Sequence, residues 1–306
     1  MIQILLATYN SSGFLAEQLD SIFAQTYNQF ELLIRDGGSK DNTLSIIEDY
    51  QTRFSGKIRL IGSQAASACE NFAALLAAAD AELLMFCDHD DVWKKEKIEL
   101  LLQAYKEMEA KYTSAYPILV FTDSEVVDSN LVTQFPSMMR SQNLNRNRFS
   151  PGRTLIQNYA SGNTMLFNRA LQKLALPIGK SAIMHDHWVA LTAAFFGKIC
   201  YVDKPLIRYR QHGDNVVGSF RYNFNSCVKR FFSDTGALRC KLNYKIDQCV
   251  ELLSSHCELL SPEQKKFLDS LKRFKKMNKI AKWSFMLKYD MLKEGLLRNI
   301  VTFLFI

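Results

Sequence analysis

Four short apolar runs, each followed by a helix-length stretch with apolar residues at helical spacing, constrain the first hundred residues of this chain. Ile2–Ala7, Phe30–Ile34, Ile58–Ile61 and Leu83–Cys87 read as strands. Phe14–Thr26, a segment capped by Asp41 and running to Tyr50, Cys69–Ala79 and Lys94–Lys111 read as helices. Strands alternating with such helices predict an α/β fold, a mostly parallel sheet covered on both faces. Right-handed crossovers place the carboxyl ends of these strands on one rim. Asp36 and Asp88, which end two of the runs, are therefore expected to share that rim.

The fourth run carries the strongest chemical signal. LLMFCDHDDVW (83–93) delivers Asp88, Asp90 and Asp91 to the end of a buried strand, where open α/β sheets bind ligands. Three carboxylates this close repel one another unless a cation sits among them. Hard oxygen ligands suit Mg2+ or Mn2+, and an ion held by one or two carboxylates completes its shell with substrate phosphates. The rival reading makes the acids caps of the helix that begins near Trp93. Capping accounts for one or two of them, but not for all three.

Beyond the helix at Lys94–Lys111 the pattern loosens. Ile118–Phe121, Asn163–Phe167 and Ile199–Val202 read as strands, 131–148 as an Asn-rich loop, and His185–Phe196 as a helix. From Ser219 the pattern is helical, with Gly236 and Pro262 as expected breaks. Charge divides the chain at the same place. Arg221–Ile306 holds 17 Lys and Arg against 8 Asp and Glu, whereas the first 220 residues hold 21 against 23. Two regions with different partners are expected, a near-neutral body over 1–218 and a basic helical extension over 219–306. Seven cysteines without a C-x-x-C pair read as reduced thiols of a cytosolic protein. No signal peptide pattern opens the chain, and no apolar stretch reaches the roughly 18 residues that span a bilayer.

ILLATYN, IRDGGSKDNT, FCDHDDVW, SGNTMLFNR, HDHW and RQHGDNVVG occur here in an order that resembles family 2 glycosyltransferases, most closely their bacterial rhamnosyltransferase-like members. The resemblance covers roughly residues 1–218. It implies the GT-A fold, a Rossmann-like sheet extended by an acceptor-binding half, with a nucleotide-diphosphate sugar as donor, Mn2+ or Mg2+ as cofactor, and inversion at the anomeric carbon. Position by position, it implies that Thr8 and Tyr9 line the nucleotide pocket and that Asp36 meets the base. Gly37 stands where the family has a second Asp, and QAASACENF lacks the glycine and basic residue that many relatives carry. Asp88 would face the ribose or sugar and Asp90 the metal, with His212 beside the metal and diphosphate. Asp186 stands at the general base, and Gly162, Asn163 and Thr164 form a turn reaching the acceptor.

Each of these roles has a plainer rival. Asp186 can be a helix cap as well as a base, and a base here works with an ordinary low pKa. Trp93 and Trp188 can stack on sugar or base, or fill the core. Arg208 and Arg210 can pair with the second phosphate, or end a strand in solvent. His185 and His187 flank the base, and His89 has no assigned role. The expected reaction moves L-rhamnose from dTDP-rhamnose to a saccharide or lipid-linked acceptor of a bacterial surface polysaccharide. The alternatives are a galactosyl-, glucosyl- or N-acetylhexosaminyltransferase using a UDP-sugar, and a non-catalytic nucleotide-sugar-binding scaffold. The basic tail is expected to pack on the body and to contact the inner face of the cell membrane, where lipid-linked acceptors reside. Nucleic acid is not an expected partner, because the body offers no recognition fold.

Overall fold

The first strand, β1 (Ile2–Thr8), is buried along its whole length, because both faces of the sheet around it are covered. Ile2, Ile4 and Leu6 pack with α1 (Leu15–Phe23), α2 (Thr43–Arg53) and α4 (Lys97–Tyr112). Leu5 and Ala7 pack on the opposite face with α3 (Ala68–Ala78) and α8 (His185–Phe196). This period-two division is what a strand between two helical layers requires. A computed structural model describes residues 1–144, 148–212 and 235–306.

Among the described residues nine strands form one sheet. Besides β1 they are β2 (Phe30–Asp36), β3 (Ile58–Ser63), β4 (Leu83–Cys87), β5 (Val92–Trp93), β6 (Ile118–Val127), β7 (Thr133–Phe135), β8 (Met165–Asn168) and β9 (Lys198–Arg210). Their order is β3-β2-β1-β4-β8-β6-β9-β5, with β7 on β6. β1 to β4 run parallel, β6 and β9 run parallel to each other, and β8 lies antiparallel between β4 and β6. The parallel α/β expectation is met, and so is the shared rim: Thr8 pairs with Asp36, and Leu6 with Cys87, the residue before Asp88.

Four elements differ from the sequence reading. The strand expected at 118–121 continues to Val127, and that expected at 199–202 runs from Lys198 to Arg210. The loop expected at 131–148 contains β7 and a short helix, α5 (Met138–Ser141). The turn at Gly162–Thr164 is a 3-10 helix, placed between α6 (Pro151–Ile156) and β8. After β8 comes α7 (Arg169–Ala175).

The tail forms α9 (Thr235–Ser255), α10 (Pro262–Arg273), α11 (Lys279–Lys288) and α12 (Leu296–Phe305). Gly236 lies within α9 and breaks nothing, whereas Pro262 opens α10 behind a Ser261–Gln264 capping box. The boundary expected at 218/219 and the residues Gly213–Gly218 of RQHGDNVVG lie outside the described residues. Leu242, Ile246, Leu252, Phe267, Leu271 and Phe285 join the same core cluster as Phe86 and Phe167. The buried Arg153 guanidinium adds a polar tie, holding Asp290 at 2.8 Å and Glu294 at 2.7 Å. Among the described residues no helix is long and apolar enough to cross a membrane.

Candidate active site

β4 ends in an apolar environment and hands its three acids directly to the rim. None of them caps α4, which begins only at Lys97 behind Glu96. Val92–Trp93 intervenes as β5 and pairs antiparallel with β9, Val92 opposite Arg208. That pairing returns the end of β9 to the acids. The Arg210 amide donates to Asp91 Oδ1 at 3.1 Å and its Nε to the Asp90 carbonyl at 2.9 Å. His212 Nε2 and Asp90 Oδ2 share a hydrogen bond of 2.9 Å.

The electrostatics of the loop follow from this crowding. Asp88 is held well above the usual carboxylate range, first by burial and then by the charges of Asp91, Asp90 and Asp186. Asp91, with no solvent exposure, is raised by burial and by Asp90. Asn163 Nδ2 donates to Asp91, while its Oδ1 is buried without a hydrogen-bond partner among the described residues. Lys97, fully buried, donates to the Asn163 carbonyl at 2.7 Å, and its Nζ lies 3.0 Å from the centre of the Trp93 ring. Among the described residues no three His, Cys, Asp or Glu side chains are grouped as metal ligands. A hard ion bound to a diphosphate needs only one or two protein carboxylates. Crowded carboxylates with raised pKa values and an orphaned amide oxygen fit such an ion.

The second carboxylate centre comes from α8. Asp186 is its second residue, so it sits in the first turn rather than at the cap, which is Met184. Its Oδ2 accepts from Asn158 Nδ2 at 3.1 Å and from the Gly162 amide at 3.2 Å, and its Oδ1 from the His187 amide at 2.6 Å. Burial nevertheless pushes its pKa up to about 6, so the expected ordinary low value is corrected. Gly162 is required here: a Cβ would lie 2.9 Å from His185 Nε2 and 3.3 Å from the Asp186 Cβ. His185 is wedged between Phe72 and Phe86, and burial holds its ring neutral with a pKa of about 3.

On the nucleotide side the structure redistributes the roles. Tyr9 follows β1 with 54% of its surface exposed. Thr8 and Asp36 are buried, and Thr8 Oγ1 donates to Asp36 Oδ1 at 3.0 Å. Asp36 also accepts from the Gly38 and Ser39 amides and from the Ser39 and Ser63 hydroxyls. Five donors surround a carboxylate that offers about four lone-pair sites, so Asp36 organises this loop. Gly37 has a local reason as well. A Cβ there would lie 2.8 Å from Asn71 Nδ2, and Asn71 Oδ1 holds Arg35 Nε at 2.9 Å.

Other expectations are also corrected. Trp188 is 2% exposed, and its Nε1 donates to the Ala175 carbonyl at 2.9 Å; it is a core residue, not an acceptor contact. Trp93 is likewise core. Gly162, Asn163 and Thr164 are buried, and they brace Asp186 and Asp91 from within. The buried Arg210 guanidinium is taken by the Asp90 and Ser129 carbonyls and by Glu17, while Arg208 is exposed to solvent. Lys97 and Asn158 were missed. Lys97 had a signal, since Trp93, Lys97 and Leu101 recur every four residues and place a lysine in an apolar helical stripe. Asn158 had none.

The model of Glycosyl transferase family 2 matches residues 3–175. An uncharacterized glycosyltransferase of Nostoc is 28% identical over 216 residues, covering 70% of this chain and 66% of that protein. The dTDP-rhamnosyl transferase RfbG of Shigella flexneri is 27% identical over 241 residues, covering 74% and 77%. Among solved structures, S. aureus TarS in complex with UDP-GlcNAc superposes with a TM-score of 0.55 at 17% identity, covering 92% of this chain and 82% of that one. The mannosyltransferase PcManGT from Pyrobaculum calidifontis, in complex with GDP-Man and Mn2+, gives 0.53 at 14% identity, covering 98% and 85%. The fold is GT-A.

Proposed function

The chain belongs to glycosyl transferase family 2 and is a glycosyltransferase, and we propose that it inverts the anomeric centre of a nucleotide-diphosphate sugar with Asp186 as general base. The observation that carries this reading is the meeting of two carboxylate centres: the adjacent residues Gly162 and Asn163 donate to Asp186, from α8, and to Asp91, in the loop after β4. One centre faces the diphosphate and the other the acceptor. The acceptor hydroxyl oxygen forms a bond to the anomeric carbon as the bond to the diphosphate oxygen breaks. The hydroxyl proton passes to Asp186, and the bonding electron pair leaves with the nucleoside diphosphate. A pKa near 6 makes Asp186 a stronger base than a solvated carboxylate while leaving it ionised at neutral pH.

Asp90 and Asp88 would hold Mg2+ or Mn2+, which when bound supplies charge stabilisation for the departing diphosphate. His212, hydrogen-bonded to Asp90, orients that carboxylate. Tyr9 would stack on the nucleotide. The proposed donor is dTDP-rhamnose, supported by the likeness to RfbG; a UDP-sugar is the second reading, since TarS binds UDP-GlcNAc on the same fold. The proposed acceptor is a saccharide or lipid-linked saccharide at the cytoplasmic face of the membrane. Leu296, Ile300 and Leu304 support that place: they recur every four residues on α12 with exposures of 76%, 43% and 47%, in a basic tail.

A thermal-shift panel of dTDP-, UDP- and GDP-sugars, with and without Mn2+ or Mg2+, tests the reading. A donor at about 100 times its Kd adds roughly 2.7 kcal/mol, a shift of several degrees. A metal-dependent shift with dTDP-rhamnose is expected, lost in Asp90→Asn and kept in Asp186→Asn, which should bind without transferring. The absence of any shift from folded protein would end the proposal.

A further inference from the structure

A second cavity lies behind Asp186, on the side of the tail. Its volume is about 840 Å3, and it opens between α9, the segment before α8 and the end of α12. Lys180, Arg239, Lys241, Lys245 and Lys293 line it. Asp247 is the one acidic side chain among its described lining residues, and it already binds Lys275 at 2.6 and 2.7 Å. Two further acids stand nearby, and both are engaged. Glu251 accepts from the Lys180 and Ser181 amides, and Glu294 pairs with Arg153. Ile156, Ile183, Leu242 and Ile306 supply apolar wall.

The cations repel one another as the acids do at the rim. Lys245 is pushed down to about 8 by burial and by the charges of Lys293 and Lys241. Its ammonium donates to the Ile156 carbonyl, two residues before Asn158, which holds Asp186. Gln248 on α9 accepts from the Ile183 amide at 2.8 Å and contacts the His187 ring at 3.2 Å. The cavity and the base therefore share supporting residues on two sides.

We propose that this cavity binds the phosphate of a single phosphorylated amphiphile, with its apolar chain along Ile183, Leu242 and Ile306. Several lysines suit a multiply charged, many-oxygen anion, for which they act as point charges. A fatty acid carboxylate, with one charge and two oxygens, matches this set of cations less well than a phosphate does. A cavity of this volume encloses one small molecule, which distinguishes it from the outer row of α12, where a bilayer surface would lie. The inference deepens the acceptor side of the proposed function and rests on that reading only for its consequence, that the bound phosphate anchors an acceptor beside Asp186.

Binding is measured without donor, so that it stands apart from transfer. Calorimetric titration with farnesyl phosphate below its micellar concentration should show one saturable site. Farnesol and inorganic phosphate should each bind at least tenfold more weakly. Arg239→Glu/Lys241→Glu, both at exposed positions, should weaken farnesyl phosphate at least tenfold, and Lys180→Glu should do so independently. Both variants should keep the wild-type donor-induced thermal shift. Equal binding of farnesol, unchanged affinity in both variants, or binding to phosphatidylglycerol vesicles alone would each overturn the site. A missing donor shift in the wild-type protein would end the transferase mechanism, while saturable farnesyl phosphate binding would leave the cavity assignment standing.

Discussion

Asp186 combines a burial penalty with a function that needs its charge, and the two have separate pH signatures. The raised folded pKa means that its carboxyl contributes stability fully below the unfolded value near 3.8. That contribution is lost as pH rises through about 6. A shift of about two units corresponds to about 3 kcal/mol of penalty above neutrality. Asp186→Asn should therefore flatten the rise and fall of Tm with pH and stabilise the protein at pH 8, as calorimetric scans across pH would show. The same substitution should lower kcat about 10²–10⁴-fold, and the wild-type rate should climb through pH about 6 as the base ionises. At the acid loop, Lys97→Met would strip the Asn163 carbonyl of its donor and the carboxylates of the facing amine. Urea titration should register a loss of about 1–3 kcal/mol.

Pairings between elements turn separate motifs into a site. The two residues of β5 suffice to pin β9, and the Arg210 guanidinium then ties the Asp90 carbonyl of the acid loop to Ser129 and Glu17. Arg210→Met should abolish the metal-dependent donor shift while costing the free protein about 1.5–3 kcal/mol, the range for hydrogen bonds to a charged group. Thermal shift and denaturant titration of the variant measure the two effects. The tail depends on a different tie. Arg153 joins α6 to the segment between α11 and α12, and Glu294 beside it has only 14% of its side chain exposed. Removing a partner from a buried pair costs about 3–5 kcal/mol, so Arg153→Met should accelerate amide exchange across α11 and α12 more than across β1–β4.

For the whole molecule the division of charge has a spatial meaning. The near-neutral body carries the acid rim, and the basic tail packs on the sheet face that also contains Phe86 and Phe167. The exposed row on α12 and the surrounding cations should bring the protein down with phosphatidylglycerol vesicles and not with phosphatidylcholine vesicles. Raising salt from about 0.15 M to 1 M shortens the Debye length from about 8 to 3 Å, and the sedimented fraction should fall accordingly. Leu296→Glu/Ile300→Glu should abolish sedimentation without altering the donor-induced shift, because neither residue lies near the rim.

The parallel sheet, the shared rim of Asp36 and Asp88, and α8 with Asp186 in its first turn were legible from the sequence. They depend on periodicity and on the ends of apolar runs, which are local properties. Residue roles were less legible where burial decides them. Thr8, Asp36, Trp188 and Arg210 have types that suit a ligand, yet Thr8 and Asp36 bond each other across 28 residues of sequence, Trp188 reaches Ala175 across 13 and Arg210 reaches Glu17 across 193. The two-residue β5 is too short to leave a periodic signal, so the pairing that returns Arg210 to the acid loop was not legible from periodicity, whereas the family resemblance already set His212 beside Asp90. Nor were the pKa of Asp186 and the basic cavity behind it legible. Sequence alone determined the alternating strands and helices of the first hundred or so residues and which end of the sheet carries the acids, because those follow from neighbours along the chain. Tertiary structure decided which polar groups remain open to a ligand, because desolvation and hydrogen-bond saturation are set by residues distant in sequence.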